Sequence, residues 1–394
     1  MIDGLNTGDD GGAASGSPAP VVHLKAAYGP GLESAVERAV APFGGWSALV
    51  APGERIAVKP NLLRAAPPEK VVTTNPETLR TVLRGIKAAG AVPFVADSPG
   101  GPTSARSVAR AFRVSGMAAV CDEEGVETIF ADDDVVDLPA PNGRLYRSFR
   151  VGRVFAEADG IVQVGPLKTH ALMRLTGGVK LTFGCIAGLT KAQLHVRAHE
   201  RDDFADMLLD LHTTLAPRLT IIDAIVAMQG KGPGGGTPYA LGSLFAARDA
   251  SALDAALADR THHERRTIYT LAAAERRGLI DLQQPYELIG DPIEADHKFE
   301  KATRDMNDRV PALAQRWGRH LLTSRPRLVD EPACTRCGEC EAICGVQAIR
   351  LRPTPVFDDE ACVRCYACTE VCPTQAIQEV SPLTLRVLGT LRRR

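Results

Sequence analysis

Eight of the ten cysteines in this 394-residue chain fall between Cys334 and Cys372, and only Cys121 and Cys185 precede them. Cys334, Cys337, Cys340 and Cys344 follow C-x2-C-x2-C-x3-C, and Cys362, Cys365, Cys368 and Cys372 repeat that spacing. Thiolates spaced this way ligate [4Fe–4S] clusters, each motif's fourth cysteine serving the other cluster. The expected ligand sets are therefore Cys334, Cys337, Cys340 and Cys372 for one cluster, and Cys362, Cys365, Cys368 and Cys344 for the other. Zinc also takes C-x2-C pairs, but three closely spaced cysteines and a fourth, twice over, favour iron–sulfur. Disulfides are disfavoured because so dense a thiol cluster reads as metal ligation in a reducing compartment.

The repeat extends beyond sulfur. Asp330 corresponds to Asp358, Arg336 to Arg364, and Cys344–Ile349 to Cys372–Ile377, all at one offset. Two copies of one small unit related by a pseudo-twofold axis are expected to form a ferredoxin-like α+β domain over 328–380. Gly345 departs from the repeat, standing where Pro373 follows the second motif.

The remainder predicts an α/β domain with a mostly parallel sheet over 21–296. Strands are expected at Val21–Lys25, Arg55–Lys59, Ala91–Ala96, Ile161–Val164, Leu219–Ile222 and Leu244–Ala247. Helices of 3.6-residue periodicity stand between several of them. The Gly-, Ala-, Ser- and Pro-rich stretch 1–20 predicts a disordered tail, 297–327 a helical connector, and 381–394 a basic C-terminal tail. A net charge of -1 supplies no field for nucleic acid. No apolar run is long enough to span a bilayer, and the first residues lack the layout of a secretory signal. A cytoplasmic protein is expected.

In open α/β sheets, ligands gather beyond the carboxyl ends of the strands. Lys59 and Asn61 follow one expected strand, Asp97 and Ser98 another, and Lys168 and His170 a third. Asp223 and Asp249 follow two more, so a shared polar cleft is predicted. Thr176-Gly177-Gly178 predicts backbone N–H groups open to an anion, with Lys168 and Lys180 adding positive charge. Asn75, His195 and Lys231, the last within a second glycine-rich loop, complete the candidate ligand-binding set. Cys185 reads as inert packing.

These signatures resemble a known family. Val58-Lys59-Pro60-Asn61-Leu62, Thr74-Asn75-Pro76-Glu77, Asp97-Ser98-Pro99-Gly100-Gly101 and Lys168-Thr169-His170 look like successive motifs of the domain-of-unknown-function 362 family. Gly177-Gly178-Val179-Lys180, Gly184–Leu189 and Gly230-Lys231-Gly232-Pro233 continue the series. That family is often fused to a two-cluster ferredoxin, and its chemistry is largely undefined. A fainter likeness joins His170 and Lys180, in their Thr-Gly-Gly-x-Lys setting, to the lactate racemase family. That resemblance implies an acid/base role for His170 and a nickel-pincer nucleotide anchored at Lys180, with His195 near a nickel ligand. The family's second acid/base histidine has no counterpart, because no histidine lies between His23 and His170. One proton donor beside an electron supply fits reduction better.

The expected function is an iron–sulfur oxidoreductase with two [4Fe–4S] clusters. A low-potential donor of ferredoxin or flavodoxin type would feed electrons to a small anionic substrate, or to a second bound nucleotide or metal cofactor. His170, Lys168 and Lys180 would be catalytic. The alternatives are a non-catalytic electron carrier or adaptor, and a redox-neutral isomerase related to nickel-pincer racemases.

Overall fold

The computed structural model describes residues 18–100, 104–188, 190–198, 200–302 and 324–380. The first 17 residues, 303–323 of the expected connector and the basic tail 381–394 lie outside the described residues.

The α/β expectation holds, in a larger and more mixed sheet than the sequence suggests. Strands β1 (Pro20–Lys25), β2 (Arg55–Lys59), β3 (Val92–Asp97) and β4 (Glu127–Phe130) come first. A separate antiparallel hairpin follows, β5 (Val135–Pro139) with β6 (Ser148–Gly152). The main sheet resumes with β7 (Gly160–His170), β8 (Arg174–Thr176), β9 (Leu219–Gln229), β10 (Thr237–Ala247) and β11 (Glu287–Gly290). Its order is β11-β1-β10-β9-β7-β2-β3-β4, with β8 paired to β7. The run from β9 to β4 is parallel, whereas β10 is antiparallel to both neighbours.

Helices cover both faces. On one, Leu32–Val40 and Pro76–Ala88 bury apolar stripes against Val58, Val95, Val162 and Ile221. The second of these starts cleanly because Asn75 caps it, accepting from Glu77 N at 2.8 Å, and Pro76 occupies its first turn. On the other face, Arg201–Leu215 and Ala250–Arg260 pack around Phe204, Leu208, Phe245 and Leu253.

Two expectations about strand ends need correction. β7 and β9 do not stop at Val164 and Ile222 but run on through His170 and Gln229. Lys168, His170 and Asp223 therefore sit within long strands that rise past the sheet. Asp249 lies at the opposite end of the sheet, because antiparallel β10 places Ala247 beside Thr220 at the start of β9. There it caps Ala250–Arg260, accepting from the N–H groups of Ser251 and Ala252.

The C-terminal module is the expected small ferredoxin-like unit. β12 (Arg325–Leu328) pairs antiparallel with β15 (Ile377–Val380), and β13 (Ile349–Leu351) with β14 (Pro355–Phe357). Residues 325–327, expected in the connector, thus belong to the module. The duplication is visible in the backbone: Asp330 N donates to Ala376 O and Asp358 N to Ala348 O. Left-handed φ recurs at matching positions, in Arg336 and Arg364, Gly338 and Tyr366, and Gln347 and Gln375.

Candidate functional site

The eight motif cysteines converge as two groups. Cys334, Cys337, Cys340 and Cys372 line one cavity, bounded by Gly338, Pro355 and Ile377. Cys362, Cys365 and Cys368 lie close enough to Cys344 for each thiol to resist ionisation of its neighbours. Burial is the first cause of the raised pKa of Cys365 (to about 11) and of Cys368, which is pushed well up. Ligated thiolates need a counter-charge or N–H donors in such a place, and one donor is in hand: Ala348 N reaches Cys344 Sγ at 3.1 Å. The donor set and the cavity fit sulfur-ligated clusters.

The second centre is a set of buried cations at the carboxyl end of the parallel strands. Lys59, the last residue of β2, is 1% exposed and pairs with Asp97, the last residue of β3, at 3.0 Å. Asp97 also accepts from Leu62 N at 2.8 Å. Lys168 is 1% exposed, donating to Asn61 Oδ1 and to Val72 O. Burial first, then Lys180, lowers its pKa to about 7. Lys180 itself lies over the Phe183 ring, and its pKa is lowered by burial, with Glu370 opposing.

Lys191 was not among the residues singled out from sequence, yet it belongs here. Its ammonium donates to the carbonyl and hydroxyl oxygens of Ser98, each at 2.7 Å, and to Ile186 O. Burial lowers its pKa to about 8. The close approach of Gly184 seals this layer: a Cβ there would stand 2.2 Å from Lys59 Nζ and 2.4 Å from Asp97 Oδ1. Cys185 beside it is fully buried, its pKa pushed up to about 12 by desolvation, which makes it an inert thiol.

His170 is wholly buried. Its Nδ1 accepts from Leu172 N at 3.1 Å and Met173 N at 3.2 Å. With Nδ1 so occupied, the neutral ring carries its proton on Nε2. Burial, then Lys180, holds its pKa well below the usual value, so the imidazole is neutral. In this state the ring offers a fixed N–H donor at Nε2. His195 is also buried, stacked on Phe204 at 4.5 Å, with its pKa lowered to about 3 by burial. Among the described residues, His170 Nε2, His195 Nδ1 and Thr176 Oγ1 all lack an aligned hydrogen-bond partner.

Four expected binding residues do other work. Gly177 and Gly178 present no open anion nest, since Asp254 from Ala250–Arg260 occupies it, accepting from Gly178 N at 2.6 Å. A Cβ on Gly177 would stand 2.0 Å from Asp254 Oδ1, so the glycine admits that carboxylate. Asp223 accepts from Thr78, Tyr28 and Ile225 N and so anchors Pro76–Ala88, the helix that Asn75 caps. Lys231 donates to Gln378 Oε1 at 3.0 Å, so its loop holds the C-terminal module.

That module is docked on the cleft. Gly345 lies against the helix Thr190–Arg197: a Cβ there would meet Val196 Cγ2 at 2.9 Å and Ala192 O at 3.2 Å. The proline found after the second motif could not occupy this place without moving backbone. Glu370, between Cys368 and Cys372 on the short helix Ala367–Val371, reaches His170, with Oε1 3.3 Å from Nε2, and feels the charges of Lys180 and Lys168. Nothing in the sequence marks Glu370, because its role depends on how the two units meet.

Among the described residues, no helix is long and apolar enough to cross a membrane. The chain is 33% identical over 306 residues to the thylakoid-associated protein sll1697 of Synechocystis sp., covering 74% of this chain and 89% of that protein. The lactate racemase apoprotein from Thermoanaerobacterium thermosaccharolyticum overlaps 60% of this chain and 56% of its own, at 15% identity and a TM-score of 0.39. A Thermotoga maritima protein overlaps 52% of this chain and 53% of its own, at 11% identity and a TM-score of 0.30. The chain thus spans little more than half of each solved structure, and overlaps this loose carry no argument about chemistry. Residues 333–376 match the description "4Fe-4S dicluster domain", which gives the chain iron–sulfur electron-transfer capacity. Residues 56–259 match "Domain of unknown function (DUF362)", and with the relative above this shows that the chain belongs to the DUF362 family and carries a C-terminal dicluster domain.

Proposed function

We propose that this protein is an iron–sulfur oxidoreductase that reduces a small anionic substrate held in the α/β cleft. The observation that carries the reading is the docking. Glu370, two residues from Cys368 on one side and Cys372 on the other, touches His170 among the buried lysines. A module that merely carried electrons would not need its cysteine-bearing loop against a closed cation cluster in another domain.

In this reading Cys334, Cys337, Cys340 and Cys372 hold one [4Fe–4S] cluster, and Cys344, Cys362, Cys365 and Cys368 the other. When bound, the clusters supply single electrons. The residues of the chain do the rest. Lys168 and Lys180 bind the anion, Lys59 and Lys191 keep the surrounding potential positive, and Asn61 orients the Lys168 ammonium. His170 donates from Nε2 to an oxygen of that same anion and steadies the negative charge that grows on the substrate as electrons arrive. That is electrostatic stabilisation by a preorganised donor. A neutral histidine suits the task, because it gives a hydrogen bond without surrendering its proton. The electrons would come from a low-potential donor of ferredoxin or flavodoxin type in the cytoplasm.

The test starts from anaerobically reconstituted protein, reduced and desalted, then mixed with fractions of a small-molecule extract while visible absorbance is followed. At least one anionic fraction should reoxidise the wild type. His170→Gln, at equal cluster content, should slow that reoxidation by about 10²-fold or more, the loss seen when a preorganised donor is removed. Equal rates in the two proteins, or no reoxidation by any fraction, would overturn the proposal.

A further inference from the structure

Glu370 sits where a ligand would be expected. Its side chain is only 13% exposed and lies 3.3 Å from His170 Nε2; burial pushes its pKa up, and the charges of Lys180 and Lys168 oppose that shift. Yet the contact is imperfect. His170 Nε2 carries the ring proton, since Nδ1 already accepts two backbone N–H groups, and among the described residues it finds no aligned acceptor. A buried N–H in contact with a carboxylate, but not in line with it, is a site whose best occupant is another acceptor of the same kind. One fixed N–H and two ammonium groups acting on the point where the Glu370 carboxylate stands describe recognition of a carboxylate, by charge and hydrogen bonding.

A crevice adjoins Glu370 on its other side. A crevice between the Gly230–Gly235 loop and the C-terminal module is lined by Ala171, Lys231, Thr369, Gln375, Gln378 and Glu370 itself. Glu370 is therefore the group that faces both the crevice and the buried cations. A change of its side-chain rotamer toward the crevice would clear the cation site without moving Cys368 or Cys372.

We infer that Glu370 is a built-in stand-in for the substrate's carboxylate: it fills a subsite made by His170 Nε2, Lys168 and Lys180, and a small carboxylic acid anion entering by the crevice displaces it. This rests on the reading of the cleft as a substrate site, and it names the substrate class. It also gives the buried lysines a counter-charge within the protein. The internal carboxylate offsets their repulsion until the external one arrives. A simple docking ion pair makes a different demand, since neutralising Glu370 would then loosen the module and improve nothing.

The experiment is anaerobic calorimetric titration of cluster-loaded, full-length protein with acetate, malonate and inorganic phosphate. Glu370→Gln keeps the shape and removes the competing charge, and it should bind the carboxylates roughly tenfold or more tightly than wild type. Glu370→Asp retains the charge but withdraws it by one methylene, so it should show a smaller gain in the same direction. Adding Lys180→Gln to Glu370→Gln should cancel the gain. Unchanged or weaker carboxylate binding in both single variants would overturn the inference, and so would a gain confined to phosphate. The two claims also fail separately. Tighter carboxylate binding without reoxidation of reduced clusters leaves the subsite standing and removes the reductase reading. Reoxidation with no gain in Glu370→Gln does the reverse.

Discussion

Replacing Lys180 with glutamine should have two linked effects, and the second is the more discriminating. Lys180 supplies positive charge to the anion site and is also the largest electrostatic influence depressing Lys168, after burial itself. Losing a charge-assisted bond to a bound anion removes about 1.5–3 kcal/mol. Affinity for acetate should therefore fall roughly ten- to hundredfold at its best pH. The pH dependence should move the opposite way. In the wild type the Lys168 ammonium is present below its pKa of about 7 and is lost as pH rises through it, so anion affinity declines across that range. Without Lys180 the repulsion is relieved, the Lys168 pKa rises, and the decline should begin at higher pH. Calorimetric titrations of both proteins across neutral and mildly alkaline pH give both quantities. Affinity that is unchanged, or a midpoint that stays in place or moves to lower pH, refutes the assignment of these two lysines to one site. The same depression sets a sign for folding. An unfolded lysine keeps its proton up to about 10.5, so the stability cost of burying Lys168 is greatest below about 7 and is relieved as pH rises between those values.

Two further outcomes test the C-terminal module. Cys344→Ala and Cys362→Ala should each remove roughly half of the iron and acid-labile sulfide and leave the same residual paramagnetic resonance signal, since both cysteines are expected to serve one cluster. Different residual signals would show that the ligands are not crossed between motifs. Gly345→Val should strain the contact with Val196 and with the Ala192 carbonyl, costing about 1–3 kcal/mol by overpacking. The expected result is a lower melting temperature with faster hydrogen exchange along Thr190–Arg197, and an unaltered melt would mean the contact carries no load.

The cysteine module was legible in the sequence because ligand spacing is a local covalent constraint and the duplication prints it twice. Lys59 and Asp97 were legible for a similar reason, as polar residues ending short apolar strands. What failed to show depends on partners distant in sequence. The nest at Gly177 and Gly178 looks open until Asp254 arrives from a helix whose alanine-rich sequence carries little amphipathic signal. The strand extensions through Lys168 and Met228 pair with each other; the apolar run Ala224–Met228 carries β9 onward, but Pro166, Lys168 and His170 hide the continuation of β7. Lys191 and Glu370 read as ordinary surface charges, one on a short helix and one inside a cysteine motif. Docking of the C-terminal module turns Glu370 inward, whereas Lys191 turns toward Ser98 and Ile186 of its own domain.

The ferredoxin-like module is built of two matching halves, and the match is incomplete. Where the second copy carries Glu370, the first carries Ala342; where the second has Pro373, the first has Gly345. Both differences fall where the module meets its neighbour: the carboxylate enters the cation cluster, and the bare glycine admits a helix backbone. Symmetry that served the metal chemistry has been spent at these two places on attachment. Such a module is no longer a cassette to be exchanged for any other of its kind. A transplanted ferredoxin with alanine at the glutamate position and proline at the glycine position would keep its clusters and lose its seat.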